Sequence, residues 1–250
     1  MVKFKFMNIN KKKFVKKFEQ NGYVLIKEFY SKEFIKKTVK DLKNFLEKNK
    51  LKIKGVNLIQ KKSKINSAHN LQKWKLLKKI QRDDKIRNIA KMLLKSKIKN
   101  FGAEVFAKPA KIGLESPIHQ DNFYWNIKND KGITFWIALN KSNKKNGSVF
   151  YYEKSHKLGL LKHVPSFTPG SSQKIGNLSK IKKFKKVYPN LEVGDMLIHS
   201  CLIAHGSKKN KSKKDRMGLT LRFISSNSKI DKKKKKIYEK SLFNQRKILN

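Results

Sequence analysis

The stretch Ile133-Thr-Phe-Trp-Ile-Ala-Leu139 decides the fold of this chain, because its side chains alternate strictly in character. In an extended strand successive side chains leave on opposite faces, so the odd and even positions line different faces. One face carries Ile133, Phe135, Ile137 and Leu139, and the other carries Thr134, Trp136 and Ala138. The pattern predicts a strand with an apolar core on one side, and Trp136 either packs as a core aromatic or faces a pocket on the other.

Short runs of the same kind follow further along the chain, at Ser148–Tyr152, Met196–His205 and Met217–Ile224. A parallel β/α fold would need long helical patterns between its strands, and none separates these runs. The sequence therefore predicts a mainly β protein, an antiparallel jelly roll or cupin-like fold.

The part of the chain before Asn100 has mostly helical spacing. Apolar residues recur near 3.6 positions from Phe14 to Lys50 and from Leu71 to Leu94. A short strand at Gly22–Ile26 interrupts the first of these segments, and the Ser31 hydroxyl is predicted to cap the helix that follows. N-terminal helices are therefore expected in front of the β core.

The domain organisation follows from these patterns. Leu51–Asn66 fits neither period, and the last residues form a basic tail with five successive lysines at Lys232–Lys236 before a helical pattern. A chain of 250 residues commonly folds as one domain when it is rich in strands. We predict one domain over residues 1–227, with a helical front end over 1–99 and a β core over 100–227, followed by a basic tail over 228–250.

The chain is strongly basic, with a formal net charge of +46. Such a charge suggests a polyanion as partner, since clustered cations release counterions when they meet phosphates. However, only five of the 63 basic residues are Arg, and the lysines are spread through every segment together with much Ile and Asn. This mixture favours a codon-driven bias with a solvated Lys surface, so nucleic acid is not expected as partner, and an anionic small-molecule substrate stays compatible.

Cysteine use and the N-terminus predict the compartment. The single cysteine, Cys201, permits no intrachain disulfide and no cysteine metal cluster. Met1–Gln20 has lysine every few positions and lacks the apolar core of a signal peptide, and no stretch approaches the length that spans a bilayer. We therefore predict a cytoplasmic protein without a membrane span.

Two potential metal ligands occur at positions i and i+2 in His119-Gln-Asp121. In extended backbone these two side chains leave from the same face, with Gln120 on the other, so both can reach one ion. Non-haem iron(II) in oxygenases takes two imidazoles and one carboxylate on one side, which leaves the remaining positions open. A second histidine must therefore come from elsewhere in the chain.

The strand-like run Met196–His205 offers two candidates for that histidine, His199 and His205, which share a face in the predicted strand. Position favours His205, because Arg216 opens the next strand across the predicted hairpin and its guanidinium suits the carboxylate of an oxoacid. Arg222 is a competitor in the same phase. Ser207 is predicted to add a hydroxyl donor to that carboxylate.

These residues belong to a series of motifs that resembles the phytanoyl-CoA dioxygenase family. The likeness covers about residues 14 to 225 and includes the Gly22–Ile26 segment. In chain order the motifs are His119-Gln-Asp121, Trp136-Ile-Ala-Leu139, Asn146-Gly-Ser148, Ser155-His-Lys157, Gly194-Asp195, His205-Gly-Ser207 and Arg216 through Arg222-Phe223.

The resemblance implies a double-stranded β-helix and an oxygenase that depends on iron(II), 2-oxoglutarate and dioxygen. It implies that His119, Asp121 and His205 bind the iron, that Arg216 binds 2-oxoglutarate and that Trp136 lines the oxoacid pocket. Halogenating relatives lack the carboxylate ligand, so an intact Asp121 implies hydroxylation of a C–H bond with release of succinate and carbon dioxide.

The substrate implied is a small metabolite or an acyl compound. The family usually has Pro-Gly before Ser-His, whereas Glu153-Lys154 stand here, so the substrate side departs from the pattern. Two other functions remain open: a non-catalytic cupin-like ligand-binding barrel, and a polyanion- or nucleic-acid-binding module that uses the Lys surface.

Overall fold

The computed structural model describes residues 10–49, 58–61, 64–69, 71–168 and 170–249. The helices are α1 (Lys11–Asn21), α2 (Lys32–Asn49), α3 (Lys75–Gln81), α4 (Asp84–Leu94), α5 (Asp121–Trp125), α6 (Ser179–Lys182) and α7 (Lys232–Leu249). The strands are β1 (Tyr23–Ile26), β2 (Leu58–Lys61), β3 (Lys64–Ala68), β4 (Ile98–Lys108), β5 (Ser116–His119), β6 (Gly132–Ala138), β7 (Val149–Tyr152), β8 (His163–Thr168), β9 (Ser171–Ile175), β10 (Lys186–Val187), β11 (Met196–Ser200), β12 (His205–Ser207) and β13 (Arg216–Ser225).

Two antiparallel sheets form the centre of the molecule. The larger sheet has seven strands in the order β1-β11-β6-β13-β4-β3-β2, and the smaller has four in the order β10-β7-β12-β5. A separate hairpin joins β8 to β9. The order is that of a double-stranded β-helix, so the predicted fold class is confirmed.

The strand β6 lies inside the larger sheet, between β11 and β13, and all seven of its residues are buried. Its odd-numbered side chains pack against the N-terminal helices, while Trp136 and Ala138 belong to a second apolar cluster on the inner face. The alternation of residues 133–139 is therefore confirmed. Helical partners of the odd-numbered face include Phe14, Phe18, Ile35, Leu42, Leu77, Ile86 and Ile89.

The N-terminal part is less purely helical than expected. The strand at residues 23–26 is confirmed as β1, and the Ser31 hydroxyl accepts from the Phe34 amide at 3.1 Å at the start of α2. The segment that fitted neither period contributes β2 and β3 to the edge of the larger sheet. The helix expected over 71–94 is divided, because Asp83 caps a new helix through the Lys85 amide at 2.9 Å.

The prediction of one continuous strand from Met196 to His205 is wrong. The strand β11 ends at Ser200, whose hydroxyl and carbonyl accept from the amides of Leu202 and Ile203, and the chain then crosses to β12 in the smaller sheet. Apolar alternation hid this turn, because its residues Cys201, Ile203 and Ala204 are fully buried.

Several expectations fall partly outside the described residues. These are residues 1–9 of the N-terminal segment that was expected to lack a signal peptide, and residues 51–57 and 62–63 of the ambiguous segment. Within the described part of the chain, no helix combines the length and apolar character that crossing a bilayer requires. The helix α7 lies in the predicted basic tail, and the boundary at residue 227 stays a prediction.

Candidate metal centre

The smaller sheet brings two of the predicted ligands together. His119 ends β5 and His205 begins β12, and the two residues are direct partners across these antiparallel strands, with ring centroids 4.3 Å apart. Gln120 is extended (φ −123°, ψ 132°), and its buried amide turns away to donate to Gly159 O at 2.8 Å and Leu202 O at 2.6 Å. Asp121, the first residue of α5, is thereby directed to the same side as His119.

One oxygen of Asp121 faces both imidazoles. Its Oδ1 atom lies 3.8 Å from His119 Nε2 and 3.7 Å from His205 Nε2. Among the residues that the structure describes, these three form the one cluster of His, Cys, Asp and Glu whose ligand atoms all lie within 4.8 Å of one another. Two nitrogens and one carboxylate oxygen fit the facial ligand set of non-haem iron(II).

The hydrogen bonds of the His119 and His205 rings leave Nε2 free to bind a metal. His119 Nδ1 donates to Pro117 O at 2.7 Å, and His205 Nδ1 donates to Ile203 O at 2.9 Å. A proton fixed on Nδ1 leaves the lone pair on Nε2. Burial lowers the pKa of His119, and it lowers the pKa of His205 to about 3, so both rings are neutral near pH 7.

The second oxygen of Asp121 is occupied by other groups. Oδ2 accepts from the Thr134 hydroxyl at 2.6 Å and from His199 Nε2 at 3.2 Å. Burial alone would raise the pKa of Asp121, but the bond from His199 and the nearby His205 hold it below its usual range, so the carboxylate is ionised. The structure therefore places His205, rather than the rival His199, beside the oxygen that His119 also faces.

Arg216 is buried at the start of β13, and its guanidinium lies over the Trp136 ring, 4.9 Å from the centroid. Its Nε atom has no hydrogen-bond partner among the described residues. Burial lowers the pKa of Arg216 to about 10, which leaves it charged near pH 7. Its competitor Arg222 instead forms an ion pair with Glu104.

The expected hairpin between His205 and Arg216 is wrong. His205 belongs to the smaller sheet, whereas β13 pairs with β4 and β6 in the larger one. The two residues still line the same cavity, because the loop between them crosses from one sheet to the other. His205 and Arg216 are therefore brought together by the two sheets facing each other, and not by a hairpin turn that joins their strands.

A single cavity of about 620 Å³ contains all the predicted site residues. Ser207, Trp136 and Arg216 line it together with the three candidate ligands. Lys108 adds a buried amine, whose pKa is lowered to about 6 by burial and by the nearby Arg216. Aromatic and polar side chains complete the wall, among them Phe101, Tyr124, Trp125, Tyr238, Leu242 and Gln245.

Sequence reasoning missed several of these residues. Thr134, Lys108 and the inner face of α7 carry no motif, because their places depend on strand register and on the packing of α7. Of the three aromatics after Asp121, Tyr124 and Trp125 line the cavity, whereas Phe123 stacks on His163 with centroids 4.3 Å apart.

The fold and the site together define a class: double-stranded β-helix proteins with a two-histidine, one-carboxylate cluster between the sheets. Within this class, the model of the phytanoyl-CoA dioxygenase (PhyH) family matches residues 18–218. The chain therefore belongs to the phytanoyl-CoA dioxygenase family, whose members are oxygenases that use iron(II), 2-oxoglutarate and dioxygen.

Individual relatives are distant. Peroxisomal phytanoyl-CoA dioxygenase of Homo sapiens is 22% identical over 228 residues, covering 84% of this chain and 67% of the human protein. Phytanoyl-CoA dioxygenase domain-containing protein 1 of Danio rerio is 25% identical over 194 residues, covering 74% of this chain and 66% of that protein.

Solved structures agree on the fold. EctD from S. alaskensis, solved with 2-oxoglutarate and 5-hydroxyectoine, has a TM-score of 0.74 at 16% identity and covers 92% of this chain and 82% of its own. The 2-oxoglutarate-dependent carbocyclase SnoK has a TM-score of 0.71 at 19% identity, and the match covers 89% of this chain and 87% of SnoK.

Proposed function

We propose that this protein is an iron(II)- and 2-oxoglutarate-dependent dioxygenase that hydroxylates a C–H bond of a small metabolite or acyl compound. One observation carries the proposal: Asp121 Oδ1 faces the Nε2 atoms of His119 and His205 in the cavity that also holds the incompletely bonded Arg216. His119, Asp121 and His205 hold the iron. When bound, iron, 2-oxoglutarate and dioxygen supply the oxidation, which releases succinate and carbon dioxide.

Arg216 binds the far carboxylate of the oxoacid. A buried donor without a partner destabilises the fold by about 1–3 kcal/mol, and more when it is charged, so an anion in this cavity relieves a cost already present. The planar guanidinium offers two parallel donors to a carboxylate. The Trp136 ring packs against one face of the guanidinium, and the buried Ser207 hydroxyl supplies a further donor in the same cavity.

The protein shields most of the surface of these groups from bulk water. His205 and Arg216 are buried, and Asp121 keeps 17% of its side chain exposed toward the cavity. Exclusion of water strengthens each charge interaction in the site and protects reactive species. The substrate is a small molecule, and an anionic one is compatible with the basic surface. The cytoplasmic location stays a prediction that rests on the single cysteine and on the lysine-rich Met1–Gln20 segment.

The test is an anaerobic titration of purified protein with iron(II) and then 2-oxoglutarate, followed by the visible charge-transfer band of the complex. We expect a band in the wild type and none in His119→Ala. In Arg216→Ala the band should require on the order of 100-fold more oxoacid, since removing one partner of a buried ion pair costs about 3 kcal/mol or more.

Two variants serve as matched controls for these substitutions. His156 lies away from the cavity and bonds Glu19 O at 3.0 Å, and Arg82 is exposed after α3, so His156→Ala and Arg82→Ala should keep the wild-type titration. No band in folded wild-type protein would contradict the oxygenase and favour the non-catalytic cupin-like ligand-binding protein. Duplex DNA binding that survives His119→Ala and weakens steeply with salt would favour the polyanion-binding module.

A further inference from the structure

The carboxylate of Asp121 is held by two donors that do not belong to the three candidate ligands. The Thr134 hydroxyl and His199 Nε2 both donate to Oδ2, at 2.6 Å and 3.2 Å. Both donors are buried, with 4% and 3% of their surface exposed. As a result Oδ2 is engaged on the side of the larger sheet, and Oδ1 alone faces the imidazoles of His119 and His205.

Strand register explains why two donors meet at one oxygen. His199 on β11 and Thr134 on β6 are direct partners across the antiparallel ladder. Directly opposite residues project side by side from the same face of a sheet, with their Cβ atoms about 4.5–5.5 Å apart. The larger sheet therefore presents an imidazole and a hydroxyl together to a carboxylate that comes from α5, next to the smaller sheet.

Tyr151 holds His199 from its other nitrogen. An ionised carboxylate only accepts hydrogen bonds, so His199 carries a proton on Nε2, and in the neutral ring Nδ1 is then an acceptor. The hydroxyl of Tyr151, which is fully buried, lies 2.9 Å from Nδ1 and donates to it. The Tyr151 ring is stacked on Tyr23 with centroids 4.8 Å apart, and Tyr23 donates to Glu153 at 2.8 Å.

We propose that Thr134, His199 and Tyr151 are positioning residues that keep Asp121 a ligand through Oδ1 alone. This inference rests on the proposed function. A facial ligand set leaves three positions on an octahedral iron, which the oxoacid and dioxygen require. A carboxylate free to rotate can bind through both oxygens and take one of these positions. With Oδ2 bonded to two buried donors, that rotation would break both bonds.

The test compares metal affinity and coordination in four variants, by anaerobic equilibrium dialysis with iron(II) and by the visible spectrum of the Co(II)-loaded protein. Thr134→Val removes a donor at constant shape, and Tyr151→Phe keeps the ring stacked on Tyr23. His199→Ala removes the middle of the chain of hydrogen bonds. His199→Gln restores an amide donor for Asp121 and an acceptor for Tyr151.

We expect His199→Ala to lower iron(II) affinity by about 10- to 100-fold, the range typical for partners of metal ligands, and to change the Co(II) spectrum. Thr134→Val and Tyr151→Phe should give smaller losses, and His199→Gln should recover part of the affinity. His156→Ala is the matched histidine control. Urea unfolding of each metal-free variant separates a loss of metal affinity from a loss of folded protein.

Equal iron(II) affinity and equal Co(II) spectra in the wild type and His199→Ala would overturn this inference alone. This inference would also be overturned if the loss of iron(II) affinity in His199→Ala were fully accounted for by the lower stability of its metal-free form. Absence of metal binding in the folded wild type would overturn the proposed function and, with it, this inference.

Discussion

At the scale of single residues, one indole ring connects the predicted strand to the predicted oxoacid site. Trp136 lies on the even-numbered face of β6, where it contacts the Arg216 guanidinium. Space for the indole comes from Gly218, two residues after Arg216 on β13, because a side chain there would overlap the Trp136 ring. A glycine in the middle of a strand weakens it, which is acceptable where another group approaches closely.

Gly218→Ala should therefore lower the free energy of unfolding by about 1–3 kcal/mol, the cost of overpacking, and weaken 2-oxoglutarate binding by moving Trp136 off Arg216. Urea unfolding and the anaerobic titration measure the two effects. Gly176→Ala is the matched control, since its added methyl meets a Val164 methyl at 3.0 Å that must give by only a few tenths of an ångström, whereas the methyl at Gly218 would overlap the Trp136 ring. Wild-type stability and titration in Gly218→Ala would contradict this account of the glycine.

At the scale of elements, α7 makes the predicted basic tail part of the cavity wall. Its residues Tyr238, Leu242 and Gln245 line the cavity, while the lysines at 232–236 are exposed. Gln245 accepts from the Phe167 amide at 3.3 Å, and Ser241 accepts from Gln173 at 2.9 Å, so α7 is bonded to the β8–β9 hairpin.

Truncation after Asp231 should leave the two sheets folded and speed amide hydrogen exchange in residues 163–175. Each lost hydrogen bond contributes about 1 kcal/mol, so roughly tenfold faster exchange or more is expected in the hairpin. Replacing Lys232–Lys236 by glutamine keeps the inner face of α7 and should leave this protection unchanged. Equal exchange in the truncated and full-length chains would show that α7 does not support the hairpin.

At the scale of the whole molecule, charge opposes folding. A formal net charge of +46 on 250 residues destabilises the compact state by self-repulsion, which salt screens over a Debye length of about 10 Å at 0.1 M. Among the described lysines, Lys108 is buried, and its side-chain amine donates to Lys208 O at 2.8 Å.

The thermal unfolding midpoint of the metal-free protein should therefore rise as the salt concentration increases from about 10 mM to about 300 mM. A gain of about 1 kcal/mol would raise the midpoint by roughly 2–4 °C in a chain of this size. Sodium and potassium chloride should act alike, because screening does not depend on the cation. A midpoint that stays constant or falls would show that the lysines are already balanced in the folded protein.

The sequence by itself determined the features that depend on local pattern and residue chemistry. Alternation over residues 133–139 predicted a strand with one apolar core face, because strand side chains have a period of two, and the structure packs that face on the helices. The same period of two predicted that the side chains of His119 and Asp121, two residues apart, leave the backbone on the same side. The rarity of arginine singled out Arg216 and Arg222 as candidates.

Only the tertiary structure decided between the remaining alternatives, because each depends on contacts between residues far apart in the chain. His199 and His205 have the same local pattern, and they differ in which oxygen of Asp121 they face. Likewise, Arg222 is neutralised by Glu104, more than 100 residues away, whereas Arg216 keeps an unbonded Nε. The turn after Ser200 is built from buried apolar residues, so a period of two could not reveal where the chain changes sheets.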